Sequence, residues 1–216
     1  MEKTKKSTIV ISFLAFIVIW TLRTVLLKPW IDANLGIWER QIVNGIIKLI
    51  IWCGLAVFLL RRNPVQFSIK DMFCKNFSWR LLGIASVVSV LFHVVVMLIQ
   101  SGKINILPFH PSQLISQFLV VGITEELLFR GWFYNALRST MTPMKANAIS
   151  SAMFVTSHWP SYIVSGVGIG SIIYLSIVIF LMGLVFGYLF EKSKNILVPT
   201  AVHSIWDLLQ LVTVGL

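Results

Sequence analysis

Seven apolar runs govern what this chain can fold into: Ile9–Leu27, Ile42–Leu60, Leu81–Ile99, Leu114–Leu137, Met144–Trp159, Ser171–Phe190 and Ile196–Val214. At about 1.5 Å of rise per residue, around 20 helical residues cross the hydrocarbon core of a bilayer. Six runs meet that length. In the fifth, Pro160 is expected to stop or kink the helix, which either continues past the proline or ends inside the protein. Only 12% of the residues are charged and 57% are hydrophobic, whereas a soluble domain is roughly 25% charged. The fold class implied is all-α: a polytopic integral membrane helical bundle of about seven transmembrane helices, forming one membrane domain over residues 1–216.

Orientation follows from the basic residues between the runs. With the N-terminus cytoplasmic, the inner side receives Lys3, Lys5, Lys6, Arg61, Arg62, Lys70, Lys75, Arg80, Arg138, Lys145, Lys192 and Lys194, and the outer side only Lys28, Arg40 and Lys103. The expected location is therefore the cell membrane, multi-pass, with the C-terminus outside. Lysines precede the first run as in a signal peptide, but no small-residue cleavage site follows, so a retained first span is expected. The net charge of +10 is dispersed between apolar runs, which argues for a lipid bilayer as partner and against nucleic acid. Cys53 and Cys74 have neither zinc-ligand nor redox spacing. The polar stretch Arg61–Arg80 reads either as lying along the cytoplasmic membrane surface, with Phe67, Phe73 and Trp79 dipping into the interface, or as a solvated loop. Ser161–Gly170 reads as a flexible loop.

The fourth run carries Glu125, Glu126 and Arg130 where isolated charge is costly, which makes them a functional-site hypothesis. Glu126 and Arg130 are four apart with the acid first, the favourable order for an ion pair on one helical face. Glu125 is rotated about 100° away and free to face something else. The fifth run places Phe154 and His158 on one face, and the seventh does the same with His203 and Asp207. Counted at about 1.5 Å per residue, Glu125 lies roughly 18 Å from either end of its helix, and His158, His203 and Asp207 lie about 21, 11 and 17 Å from the inner starts of theirs. All are central in the bilayer and can converge on one cavity, which the shallow depth of His203 suggests opens toward the cytoplasm. Lys48 and Arg23 are expected to snorkel to the outer surface, and His93 to pack.

Glu125-Glu126-x-x-x-Arg130, Phe154-x-x-x-His158 and His203-x-x-x-Asp207, in that order on three late helices, resemble the motif series of the CAAX protease and bacteriocin-processing family, also called Abi proteins. The resemblance covers roughly residues 112–210, taken as a catalytic core of 112–216; the helices of 1–111 match nothing. It implies an intramembrane endopeptidase acting on a peptide or lipidated protein, in bacterial members a pheromone or bacteriocin. By motif, Glu125 would activate the attacking water, His158 would assist, His203 with Asp207 would stabilise the oxyanion, and Glu126, Arg130 and Phe154 would support them. No cofactor is favoured. Zinc held by Glu125, His158 and His203 is the alternative, weakened by the lack of a His-Glu-x-x-His helix. A non-catalytic bacteriocin-immunity or sensor protein, and a proton relay, are the rival functions, and oligomeric state is left open.

Overall fold

The computed structural model describes residues 3–213, and every regular element among them is helical. The helices are α1 (Lys6–Asn34), α2 (Ile37–Arg62), α3 (Ile69–Cys74), α4 (Trp79–Ser101), α5 (residues 115–138), α6 (Pro143–Thr156), α7 (Trp159–Val164), α8 (Ile169–Ser193) and α9 (Leu197–Thr213). The seven apolar runs thus become seven long helices, joined by two short ones. Four are long and apolar enough to cross a membrane: α1, α2, the Trp79–Ile99 part of α4, and α8. The expected outer C-terminus, with Val214 of the last run, lies outside the described residues.

Helix boundaries follow local chemistry. Pro143 starts α6, where its missing N–H costs nothing, and Gly102 closes α4 in the left-handed conformation. Asn195 accepts from the Leu197 N–H at 2.8 Å where α9 begins. The fifth run stops at Thr156; the chain turns at Ser157 and His158, and Pro160 sits in the first turn of α7. The loop expected over Ser161–Gly170 is largely absent, because Ser161–Val164 complete α7 and α8 begins at Ile169.

Two packing devices hold the bundle. The first is an aromatic cluster filling the half that also holds Arg61–Arg80 and Arg138. Trp52 stands edge-on to Phe16 and Trp20, both at 4.9 Å, and to Phe129 at 5.7 Å, and Phe13 meets Phe133 at 5.6 Å. These rings join α1 and α2 to α5. The second device is Gly183-x-x-x-Gly187 on α8, packed against Asn147 and Ser151 of α6. A Cβ on Gly183 would lie 2.8 Å from the Ser151 side chain, so only glycine lets the two backbones approach this closely.

In the stretch Arg61–Arg80 one expected feature, an outward-dipping Phe67, is not what the structure shows. Fully buried Asn135 donates to the Phe67 carbonyl and accepts from its N–H, both at 2.8 Å, and Phe67 packs on Phe190. Phe67 is therefore fastened to the bundle, whereas Trp79 and Phe73 face outward as expected. The Ser68 hydroxyl caps α3 and, by hydrogen bonding to Asp71, holds that carboxyl below the usual carboxylate range. At the same end Glu191 collects Tyr134 at 2.6 Å, Lys194 at 2.7 Å and Arg138 at 3.3 Å, tying α5 to α8.

Candidate active site

Glu125 and Glu126 are both buried on α5, and their directions diverge as their spacing requires. Glu126 Oε1 accepts from Arg130 Nη1 at 2.9 Å, and neither side chain has any exposed surface. Arg130 Nη2 donates to the Gly183 carbonyl at 2.9 Å, and its guanidinium lies over Phe154 at 4.7 Å and Phe186 at 5.3 Å. The expected ion pair is in place, and it fastens α5 to α8. After Glu126 the backbone widens to π-type hydrogen bonding over Leu127–Tyr134, a deformation frequent near functional sites.

His203 reaches this pair because α9 lies close against α5 at Gly122, where a Cβ would come within 2.7 Å of the Thr200 carbonyl oxygen. Its Nδ1 is 2.8 Å from Glu126 Oε1, and its ring stacks on Phe186 at 4.5 Å. A carboxylate oxygen already bound to a guanidinium can only accept, so His203 Nδ1 carries the proton. Nε2 is then turned toward Glu125 Oε2, at 3.7 Å, and Asp207 Oδ2, at 3.6 Å. His158 follows the same logic. Its Nδ1 donates to the Phe154 carbonyl at 2.9 Å, leaving Nε2 at 4.0 Å from Glu125 Oε2. Two imidazole nitrogens and two carboxylate oxygens, from α5, α9 and the turn after α6, are thus linked in a chain through Glu125 Oε2 and His203 Nε2. The separations are too long for direct hydrogen bonds and suit a bridging water.

The site lies in a cavity of about 650 Å³. Beyond Glu125 and Asp207 the cavity is lined by Asn44, Gln41, Ser116 and Gln113, and it ends among Lys28, Asp32 and Arg40 at the α1–α2 turn. This is the end opposite the dense basic loops, so the cavity continues away from the side that those basic residues would make cytoplasmic. The reason is packing: the aromatic cluster plugs the basic half, while polar side chains of α1, α2 and α5 keep the other half open.

Lys48 was expected to snorkel, but it turns inward. Its Nζ is 2.5 Å from Glu125 Oε1 and 4.7 Å from the Trp52 ring. Arg23 likewise turns in, hydrogen-bonding Asn44. Lys48 shows its depth only from the helix bounds, which extend beyond the apolar run Ile42–Leu60. It lies about 16 Å along α2 from Ile37, and Glu125 about 15 Å along α5 from residue 115, so the two share a depth. His93 packs as expected, buried beside Trp206 with Nδ1 on the Ser89 carbonyl at 2.8 Å. Among the described residues no three His, Cys, Asp or Glu side chains are grouped to hold a metal ion.

Residues 107–209 match the family model described as Rce1-like, type II CAAX prenyl endopeptidase. This region is similar to the CAAX prenyl endopeptidases. All three motifs fall inside the match, with α5, α6 and most of α9, whereas Lys48 and Trp52 lie outside it. Searches among curated proteins and among solved structures return no match. The family is one of membrane endopeptidases acting on peptide or prenylated protein substrates, and helices able to span a bilayer agree with that.

Proposed function

We propose that the protein is an intramembrane endopeptidase in which Glu125 activates water against a peptide bond near the end of a lipidated or short secreted peptide. The observation that carries this reading is the convergence of His158 Nε2 and His203 Nε2 on Glu125 Oε2, at 4.0 and 3.7 Å, inside a large buried cavity. Glu125 Oε2 takes a proton from a water held against His158 Nε2, and the hydroxide so formed attacks the carbonyl carbon. The negative oxygen is met by His203 in its imidazolium form, with Glu126 as its counter-ion at Nδ1 and Asp207 beside Nε2. Glu125 then returns its proton to the departing nitrogen as the C–N bond breaks.

No resident metal is part of this reading. Zinc would need Glu125 as a ligand, and the Lys48 ammonium already lies on one of its oxygens. An apolar groove of about 370 Å³ between α4 and α8 shares Met182, Phe186 and Trp206 with the cavity, which supports a substrate lipid lying there while its peptide reaches Glu125. All seven long helices cross the membrane in this reading. With the N-terminus cytoplasmic, the cavity mouth faces outward.

The test uses purified protein in detergent and a quenched-fluorescence peptide bearing an S-farnesylated cysteine four residues from its C-terminus. Release of the last three residues is followed by mass spectrometry. Glu125→Gln, His158→Ala and His203→Ala are each expected to lower the rate by about 10² or more, with unchanged accumulation in the membrane, and a strong chelator to leave it unaltered. Wild-type cleavage by the Glu125→Gln variant would end this reading.

A further inference from the structure

The site contains a cation that the matched region does not supply. Lys48 comes from α2, some 77 residues before Glu125, yet its Nζ lies 2.5 Å from Glu125 Oε1, with 14% and 6% of the two side chains exposed. The contact is built from several sides. The ammonium sits 4.7 Å from the centre of the Trp52 ring. Trp52 is itself immobilised by Phe16, Trp20 and Phe129, and Phe129 is on α5, one turn beyond Glu125. The Lys48 stem and the Glu125 carboxyl are thus referenced to the same aromatic cluster, and both line the cavity.

We propose that Lys48 is a positioning residue of the reaction, holding one oxygen of Glu125 so that the other is presented to both imidazoles. This rests on the endopeptidase reading given above. A carboxylate on a glutamate stem has two equivalent oxygens and a freely turning terminal torsion. Two other groups near Glu125, the Nε2 atoms of His158 and His203, stand at 4.0 and 3.7 Å and offer it no contact short enough to select one orientation. Among the described residues Lys48 supplies the one short contact to the Glu125 carboxylate. It sets Oε1 toward α2 and leaves Oε2 on the side of α6 and α9. Alignment of this kind is worth up to about 10² in rate for an ångström of misplacement. The α1–α2 portion of the chain therefore completes a site whose named motifs all lie beyond residue 107.

Lys48→Met keeps the stem length and removes the charge; Lys48→Arg restores a cation able to reach the same oxygen. With the farnesylated peptide, Lys48→Met is expected to lower kcat by about 10- to 100-fold with KM within about threefold of wild type, because the loss is of alignment and not of binding. Lys48→Arg should recover most of kcat. A Lys48→Met enzyme with wild-type kcat, or one whose only change is a raised KM, overturns the proposal. So does Lys48→Arg failing to exceed Lys48→Met while both fold. If the wild-type protein leaves the peptide intact, the endopeptidase reading fails by itself, and the ion pair is judged by a double-mutant cycle on unfolding in detergent. Coupling between Lys48→Met and Glu125→Gln of more than about twofold in the unfolding constant supports the contact, and additivity refutes it.

Discussion

Replacing Arg130 by Met tests the support beneath the site more sharply than any change to the reacting groups. Methionine roughly fills the guanidinium stem's volume and removes its charge. What is lost is the 2.9 Å pair with Glu126, the hydrogen bond to the Gly183 carbonyl and the contacts over Phe154 and Phe186. Glu126 would then be fully buried as a carboxylate whose remaining short polar partner is His203. Removing one member of a buried pair typically costs about 3–5 kcal/mol, chiefly because the other charge is stranded. Glu126→Gln in the same chain removes that stranded charge and keeps an amide oxygen able to accept from His203 Nδ1. The double variant should therefore be more stable than Arg130→Met alone, by about 2 kcal/mol or more. Unfolding of the purified protein in mixed micelles of increasing sodium dodecyl sulfate, followed by tryptophan fluorescence, gives both differences by linear extrapolation. An Arg130→Met variant within about 1 kcal/mol of wild type would refute the premise that the pair is a buried structural unit. A double variant no better than the single would refute the stranded charge as the source of the cost.

Other consequences are separable from this one. Gly183→Leu pushes α8 off Ser151 and moves the carbonyl that Arg130 uses; it should destabilise by about 1–3 kcal/mol, read in the same unfolding assay, with a larger loss than an equally bulky change at exposed Ile177. Asp207→Asn retains a donor or acceptor 3.6 Å from His203 Nε2 and should keep cleavage within about tenfold of wild type, while Asp207→Ala should lose about 10²-fold, both measured as kcat on the farnesylated peptide. Cysteine placed at Gln113, which lines the cavity mouth, should react with a membrane-impermeant maleimide on intact cells, while exposed native Cys74 at the basic end should stay unlabelled until the cells are opened. Labelling of Cys74 with protection at position 113 would invert the proposed orientation.

What could be read in the sequence divides along a physical line. The Glu126–Arg130 pair was legible because both residues ride one helix, and a helix fixes the angle between positions four apart. The meeting of Glu125, His158 and His203 was legible more coarsely, since distance along each helix is fixed by the rise per residue while the rotation of one helix about another is not. Lys48 failed on that second coordinate. Its depth matches that of Glu125 once the helix bounds are known, but a lysine on an apolar helix has a default in snorkelling, and only the rotation of α2 that buries Trp52 against Phe129 turns Lys48 inward.

The same missing coordinate explains the cavity. The depth of His203 in α9 says how far the imidazole is from an end, not toward which end the space around it continues. That is decided by which half of the bundle is filled. Phe16, Trp52, Phe129 and Phe133 fill the basic half, because their spacing places them on facing sides of α1, α2 and α5. Arg23, Gln41, Asn44 and Gln113 line the other half, where polar side chains cannot pack into a dry core and leave room for water. A depth count taken from the helix ends that the structure shows, and not from the apolar runs, sets Lys48 and Glu125 at one level, about 16 and 15 Å from the starts of their helices. Pairing by charge then assigns Lys48 to Glu125, since Glu126 has first claim on Arg130.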